Sequence, residues 1–269
     1  VIILAFIYRQ MTVKFPMLPL DLFRSRAFSG ANIMTFLLYG AMTGCLFFLP
    51  FNLMQVHGWS ATEAGAALLP LILLISLFSF AASKLVAKLG QRIPLTSGAC
   101  IAALGFALLA LPSNDSGYWS GFLPGIAVLG LGLGIAVAPL TIVVMGAVPT
   151  DRSGLASGVN NAASRVAMLM AVAIFGVVMF EIFSSQLQSA LQVMPLDNAS
   201  RIQISERMVH LSGLQPPDGL KANVVERLHV AVGESFVAGF RAVSLIAVGA
   251  ALAGGLIAGL TIPPRADVK

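Results

Sequence analysis

Charge is what this sequence has least of. It holds 16 Lys and Arg and 11 Asp and Glu among 269 residues, or 10%, where a soluble domain carries about 25%. With 58% of its residues apolar, a soluble globular fold is excluded. Cysteine is nearly absent too. Cys45 and Cys100 sit inside apolar runs with no second Cys or His at metal-ligand spacing, so they read as small core residues, and disulfide or zinc chemistry is set aside. Catalytic signatures are also missing. There is no Gly-rich phosphate loop with its Lys and Ser/Thr, no HExxH, and no carboxylate pair or Ser/His pair within the apolar stretches. Neither an enzyme activity nor a cofactor is expected. The three histidines, His57, His210 and His229, fall outside the apolar spans and are expected to be solvated rather than metal-bound. The net charge of +5 raises the question of a nucleic-acid partner. No Arg/Lys cluster with interleaved aromatics supports one, so none is expected, and the basic excess is assigned to membrane loops.

What the chain does have is long apolar runs. Residues 27–62, 64–83, 93–114, 116–150 and 242–264 contain no Asp, Glu, Lys or Arg. Each reaches the ~20 residues that a helix needs to cross a ~30 Å hydrocarbon layer. Dividing at the turn signals predicts six spans: 27–56, 62–85, 93–112, 119–148, 155–183 and 235–262. The sequence starts at Val1, and the apolar run 1–8 is too short to span. It reads as the end of a truncated transmembrane helix, which makes the chain the C-terminal portion of a longer protein.

Loop charge sets an orientation. Arg9, Lys14, Arg24 and Arg26 precede the first span, Lys84, Lys88 and Arg92 separate the second and third, Arg152 precedes the fifth, and Arg265 and Lys269 follow the sixth. The alternate loops hold Glu63, Asp115 and a long segment richer in acids than bases, with Asp197, Glu206, Asp218, Glu226 and Glu234. By the positive-inside rule the first set is cytoplasmic. The expected layout is thus a cytoplasmic linker 9–26, a six-helix domain 27–262 with an outer loop 184–234 that holds helix-prone pieces around 186–193 and 220–232, and a cytoplasmic tail 263–269. Ser60-Ala61-Thr62-Glu63 fits a capping box at the start of the second span. Pro70, Pro124 and Pro139 fall inside spans as candidate bends.

Two spans carry polar faces. On the first, Asn32, Thr35, Tyr39 and Thr43 fall on one narrow face at ~100° per residue. A cavity-lining face and a helix-contact face carry the same residue types, so both readings stand. On the fifth, Ser157, Asn161 and Arg165 are spaced four apart with Asn160 and Ser164 alongside, and Gly154, Gly158 and Ala162 form an adjoining small-residue stripe. An intramembrane cation costs ~2.5–3.5 kcal/mol on insertion scales and persists where it faces a cavity or partner. Arg165 is therefore the candidate functional charge, with snorkelling to the interface as its alternative.

In their order, these pieces resemble a known family. The stretch Pro16-Met17-Leu18-Pro19-Leu20-Asp21-Leu22-Phe23-Arg24, then Gly58-Trp59-Ser60-Ala61-Thr62-Glu63-Ala64-Gly65 ahead of Leu68-Leu69-Pro70, then Val148-Pro149 to Arg165, is similar to the C-terminal half of the major facilitator superfamily, most closely its fourteen-helix drug:proton antiporters. The resemblance implies an all-α membrane fold in which the six spans form two inverted three-helix repeats. It also implies alternating access, with proton-coupled export of drugs or other small molecules across a bacterial inner membrane. The first, second, fourth and fifth spans would border the cavity or domain interface, and the third and sixth would be peripheral.

On this mapping Asn32, Thr35, Tyr39, Thr43, Asn160, Asn161 and Arg165 are substrate-cavity candidates. Lys88, Gly90, Arg92, Arg152, Gly154 and Gly158 are loop or gate candidates. The loop from Ser83 to Arg92 departs from the family pattern, with Ser83 in place of the usual Gly and Ala87 in place of the usual Asp. Expected partners are membrane lipid, the missing N-terminal half carrying the coupling acids, a small-molecule substrate with protons, and a periplasmic adaptor protein as a candidate. An importer of a small solute and a non-transporting membrane module are the alternative functions.

Overall fold

The computed structural model describes residues 9, 12, 20–114, 116–214, 216–217 and 220–264. The expected truncated helix 1–8, most of the linker, Asp115, Asp218 and the tail from Arg265 lie outside the described residues. Among residues 20–264 as described, the α-helices are in order α1 Arg26–Phe51, α2 Ala61–Ala66, α3 Leu69–Leu89, α4 Arg92–Leu109, α5 Leu123–Gly146, α6 Ser153–Gln192, α7 Asn198–Arg207 and α8 Ala222–Thr261. No strand occurs among the described residues. Among the described residues six segments are long and apolar enough to cross a membrane: Arg26–Val56, Ala61–Leu89, Arg92–Leu109, Tyr118–Gly146, Thr150–Gln192 and Ala222–Thr261.

Helix ends follow their local chemistry. Ser25 caps α1 by accepting from the Phe28 N–H at 3.3 Å. The Ser60–Glu63 capping box closes with both reciprocal bonds present, starting α2. Gly90 ends α3 at φ +79°, a conformation that a Cβ would strain. Pro70 and Pro124 sit in the first turns of α3 and α5, where a missing N–H is not needed, so they start helices instead of bending them. Pro139 lies inside α5, and Pro50 lies inside α1 just before a π-helical turn, Asn52–Val56. A second π turn, Tyr118–Phe122, opens the fourth span.

Helix α1 packs on α8 and α6, while α5 packs on α4 and α3; α4 lies against α8, and α1 touches α5 more lightly. Exchanging α1–α3–α4 for α5–α6–α8 maps these contacts onto one another. These are two three-helix repeats, and because each repeat has an odd number of spans their topologies are inverted. Helices α1 and α5 form the middle of the bundle, α4 and α8 one side, and α3 and α6 flank the other.

In lipid, apolar contact gives little net drive, so close backbone approach matters. Gly98 and Gly105 on α4 and Gly132 on α5 make that approach: a Cβ on Gly98 would sit 2.8 Å from the Gly132 carbonyl, and one on Gly105 2.5 Å from the Leu129 nitrogen.

The segment 184–234 is helical at both ends, where helix-prone pieces were expected, and there the helices continue the spans without a break. Helix α6 runs past Phe183 to Gln192 and α8 starts at Ala222, so both far exceed the ~20 residues of a span. The reason lies in the periodicity: the buried positions Ala171, Phe175, Met179 and Phe183 continue every fourth residue through Leu187 to Leu191. These projections, with Ile204 of α7 and with Met208 and Leu214, share one apolar cluster with Leu228, Val232 and Phe236. Outside the bilayer each such buried side chain contributes about 1.5–3 kcal/mol.

Candidate functional site

The polar face of α1 meets α6. Thr35 is fully buried, and its hydroxyl lies 2.9 Å from the Ala31 carbonyl and 2.7 Å from the Asn160 side-chain oxygen. A hydroxyl has one proton; half a turn of the Asn160 amide makes its NH2 the donor to Thr35 and satisfies both contacts. Asn32 is buried one turn earlier. Its Nδ2 donates to the Phe28 carbonyl at 2.9 Å, and its Oδ1 is buried with no partner among the described residues. Tyr39 and Thr43, higher on the same face, are half-buried.

The α6 ladder divides. Asn160 is half-buried and turned to Thr35, and Ser164 is buried with its hydroxyl donating to the Asn161 carbonyl at 2.9 Å. Asn161 and Arg165 are exposed on the other side of the helix, with Ser157 half-buried. Between α1 and α6 lies an open groove of about 590 Å³, lined by Phe23, Asn32, Phe36, Gly154, Gly158 and Ala162 among others. Cβ atoms on Gly154 and Gly158 would meet nothing within 4 Å, so the small-residue stripe stays uncovered by the described residues.

At the end of the bundle where α1 begins, Arg152 and Asp21 form an ion pair at 2.7 Å, both partly exposed. It ties the 3-10 turn Leu20–Arg24, ahead of α1, to the loop ahead of α6. The Arg152 hydrogen bond holds the Asp21 carboxyl below its ordinary range. Asp21 was not among the expected gate residues; only folding brings it beside Arg152, 131 positions away. Lys88, in the last turn of α3, and Arg92, the first residue of α4, flank Gly90 and are exposed, at helix ends rather than in the loop expected for them. Arg241 on α8 donates from Nε to the Ala110 carbonyl at 3.0 Å, at the C-terminal end of α4, where a cation is favoured. His57 is half-buried, with its ring 5.1 Å from Phe122, in place of the solvated position expected for it.

Comparison with known proteins places these features in a family. The Major Facilitator Superfamily profile matches residues 9–201. The multidrug resistance protein Stp of Mycobacterium tuberculosis is 28% identical over 268 residues, which is 97% of this chain and 49% of that protein. The methyl viologen resistance protein SmvA of Salmonella typhimurium is 28% identical over 217 residues, 80% of this chain and 43% of the relative. The tetracenomycin C resistance and export protein of Streptomyces glaucescens is 30% identical over 174 residues, 65% of this chain and 32% of the relative. At its longest match the chain spans about half of its relative's length.

Proposed function

The chain belongs to the Major Facilitator Superfamily and is an integral multi-pass membrane protein, and from that premise we propose that it forms one half of a secondary exporter of drugs or other small organic molecules. Protons flowing inward drive the export, by alternating access in the inner membrane, with the Lys88 and Arg92 loop and the chain's C-terminus on the cytoplasmic side. The observation that carries the reading is the match over 97% of the chain to a relative named for multidrug resistance.

The α1–α6 face is consistent with it. An exposed Arg165 and an exposed Asn161 on a membrane helix are costly against lipid and favourable against water or a polar partner. A second six-helix domain opposite this face would enclose them in a cavity, in which Arg165 meets substrate or a gating group. The acids that couple protons belong to that other domain.

The test is transport by the protein in everted membrane vesicles. Energised vesicles should accumulate a fluorescent drug, and a protonophore should abolish the accumulation. Drug movement in the opposite direction favours an importer and overturns the reading.

A further inference from the structure

At the end of the bundle opposite Lys88 and Arg92, the start of the second span and the start of the fourth enclose an open cavity of about 620 Å³. Its lining includes Trp59, Glu63, Pro70, Tyr118, Trp119 and Leu123, and among the described residues no Lys, Arg or His lines it. The three aromatic rings adjoin: Trp59 and Tyr118 have centroids 5.3 Å apart at 51°, and Tyr118 and Trp119 5.5 Å apart at 74°. Tyr118 is fixed in place, its hydroxyl donating to the Ala67 carbonyl at 2.9 Å. Glu63 is fixed as well. The Ser60 N–H and hydroxyl both donate to its Oε2 at 2.8 Å, and no donor among the described residues is bound to the other carboxylate oxygen.

Tryptophan and tyrosine at a bilayer interface often serve only as anchors. An anchor needs neither a carboxylate nor converging rings. Aromatic faces attract a cation through their quadrupoles, and a carboxylate beside them supplies the opposite charge. Both tryptophans of the chain line this one cavity. We propose that Trp59, Tyr118, Trp119 and Glu63 form a peripheral binding site for a quaternary ammonium group. The group could belong to a free alkylammonium ion or to a trimethylammonium lipid headgroup, and the chemistry is the same for both. The proposal stands apart from the transport reading, since it uses neither the α1–α6 face nor a second domain.

The test is photolabelling in reconstituted membranes with an alkyltrimethylammonium probe that carries a diazirine, followed by peptide mapping. Label should map to the peptides holding Trp59 and Trp119. The neutral tert-butyl analogue should label them several-fold less. Glu63→Gln removes the charge yet keeps the capping box, which accepts Gln, so the variant folds as wild type does and labelling should fall about tenfold. Trp119→Leu, at a side chain 78% exposed, should lower it several-fold without touching the core.

Vesicles of phosphatidylcholine against phosphatidylglycerol separate the two sources. Suppression of labelling in phosphatidylcholine identifies the headgroup as occupant, and equal labelling in both identifies a free ion; either supports the site. Equal labelling by the neutral analogue, undiminished labelling of Glu63→Gln, or label mapping away from these peptides would overturn it.

Discussion

Helices α5 and α6 each carry glycines four residues apart, with opposite results. On α5, a Cβ at Gly130 would come within 3.0 Å of the Leu71 carbonyl, and one at Gly134 within 3.1 Å of those of Leu74 and Ile75, so α3 lies directly on that stripe. On α6, Gly154 and Gly158 meet nothing within 4 Å. The same small-residue spacing therefore marks a finished contact in one place and an open one in the other. The groove beside the open stripe, with the Asn32 Oδ1 unpartnered among the described residues in its wall, is consistent with a face that something outside the described residues covers.

The largest effect should come from the closed side. Gly105→Leu drives a side chain into the backbone of α5, and we expect it to destabilise the bundle by about 3 kcal/mol, read as a lowered melting temperature in detergent. Wild-type melting would mean that α4 and α5 are not held by close approach. Next comes the charge on the open side. Arg165→Ala should lower transport about tenfold, the scale of one lost charge-assisted hydrogen bond, with membrane abundance unchanged. Wild-type transport would assign Arg165 to snorkelling.

Gly158→Ala should leave melting within about 0.5 kcal/mol of wild type, because its Cβ has open space. A clear loss of stability in this chain would show that the stripe is already packed, and the contrast with α5 would fail. The smallest effect belongs to the Arg152–Asp21 pair. The folded-state pKa of Asp21 is depressed, so the contact is present above the ordinary carboxylate range and is lost as pH falls through the lowered value. Cross-linking between cysteines placed at Leu20 and Ser153 should loosen below that pH in wild type. It should show no such pH step in Asp21→Asn.

Much of this layout was legible in the sequence. Five of the six spans follow from charge-free runs; the fifth span, which carries Arg165 and Glu181, follows from the turn signals around it, and the capping box followed from Ser60 and Glu63 alone. The helical ends of the 184–234 segment were legible as well; what was not is that they run on from the spans, because falling hydropathy hid a periodicity that Leu187, Leu191, Val224 and Leu228 continue.

The polar ladder on α6 was placed on one face, yet neighbours such as Asn160 and Asn161 lie ~100° apart. Only the position of α1 determines which of them is inside. The Asp21–Arg152 pair and the Trp59–Tyr118–Trp119 cluster join distant positions, and no local pattern announces either. Pro70 and Pro124 looked like bends because the helix starts beside them were hidden within continuous apolar runs.

The most direct measurement is water access to the open face. In a background without Cys45 and Cys100, Asn161→Cys on α6 is compared with Leu256→Cys on α8, whose side chain is 64% exposed among leucines that face lipid in this account. The protein in native membranes is treated with a charged methanethiosulfonate. Reaction at position 161 and none at 256 is the predicted result; an unreactive 161 with the same protection as 256 would place the α6 face in lipid and contradict the account.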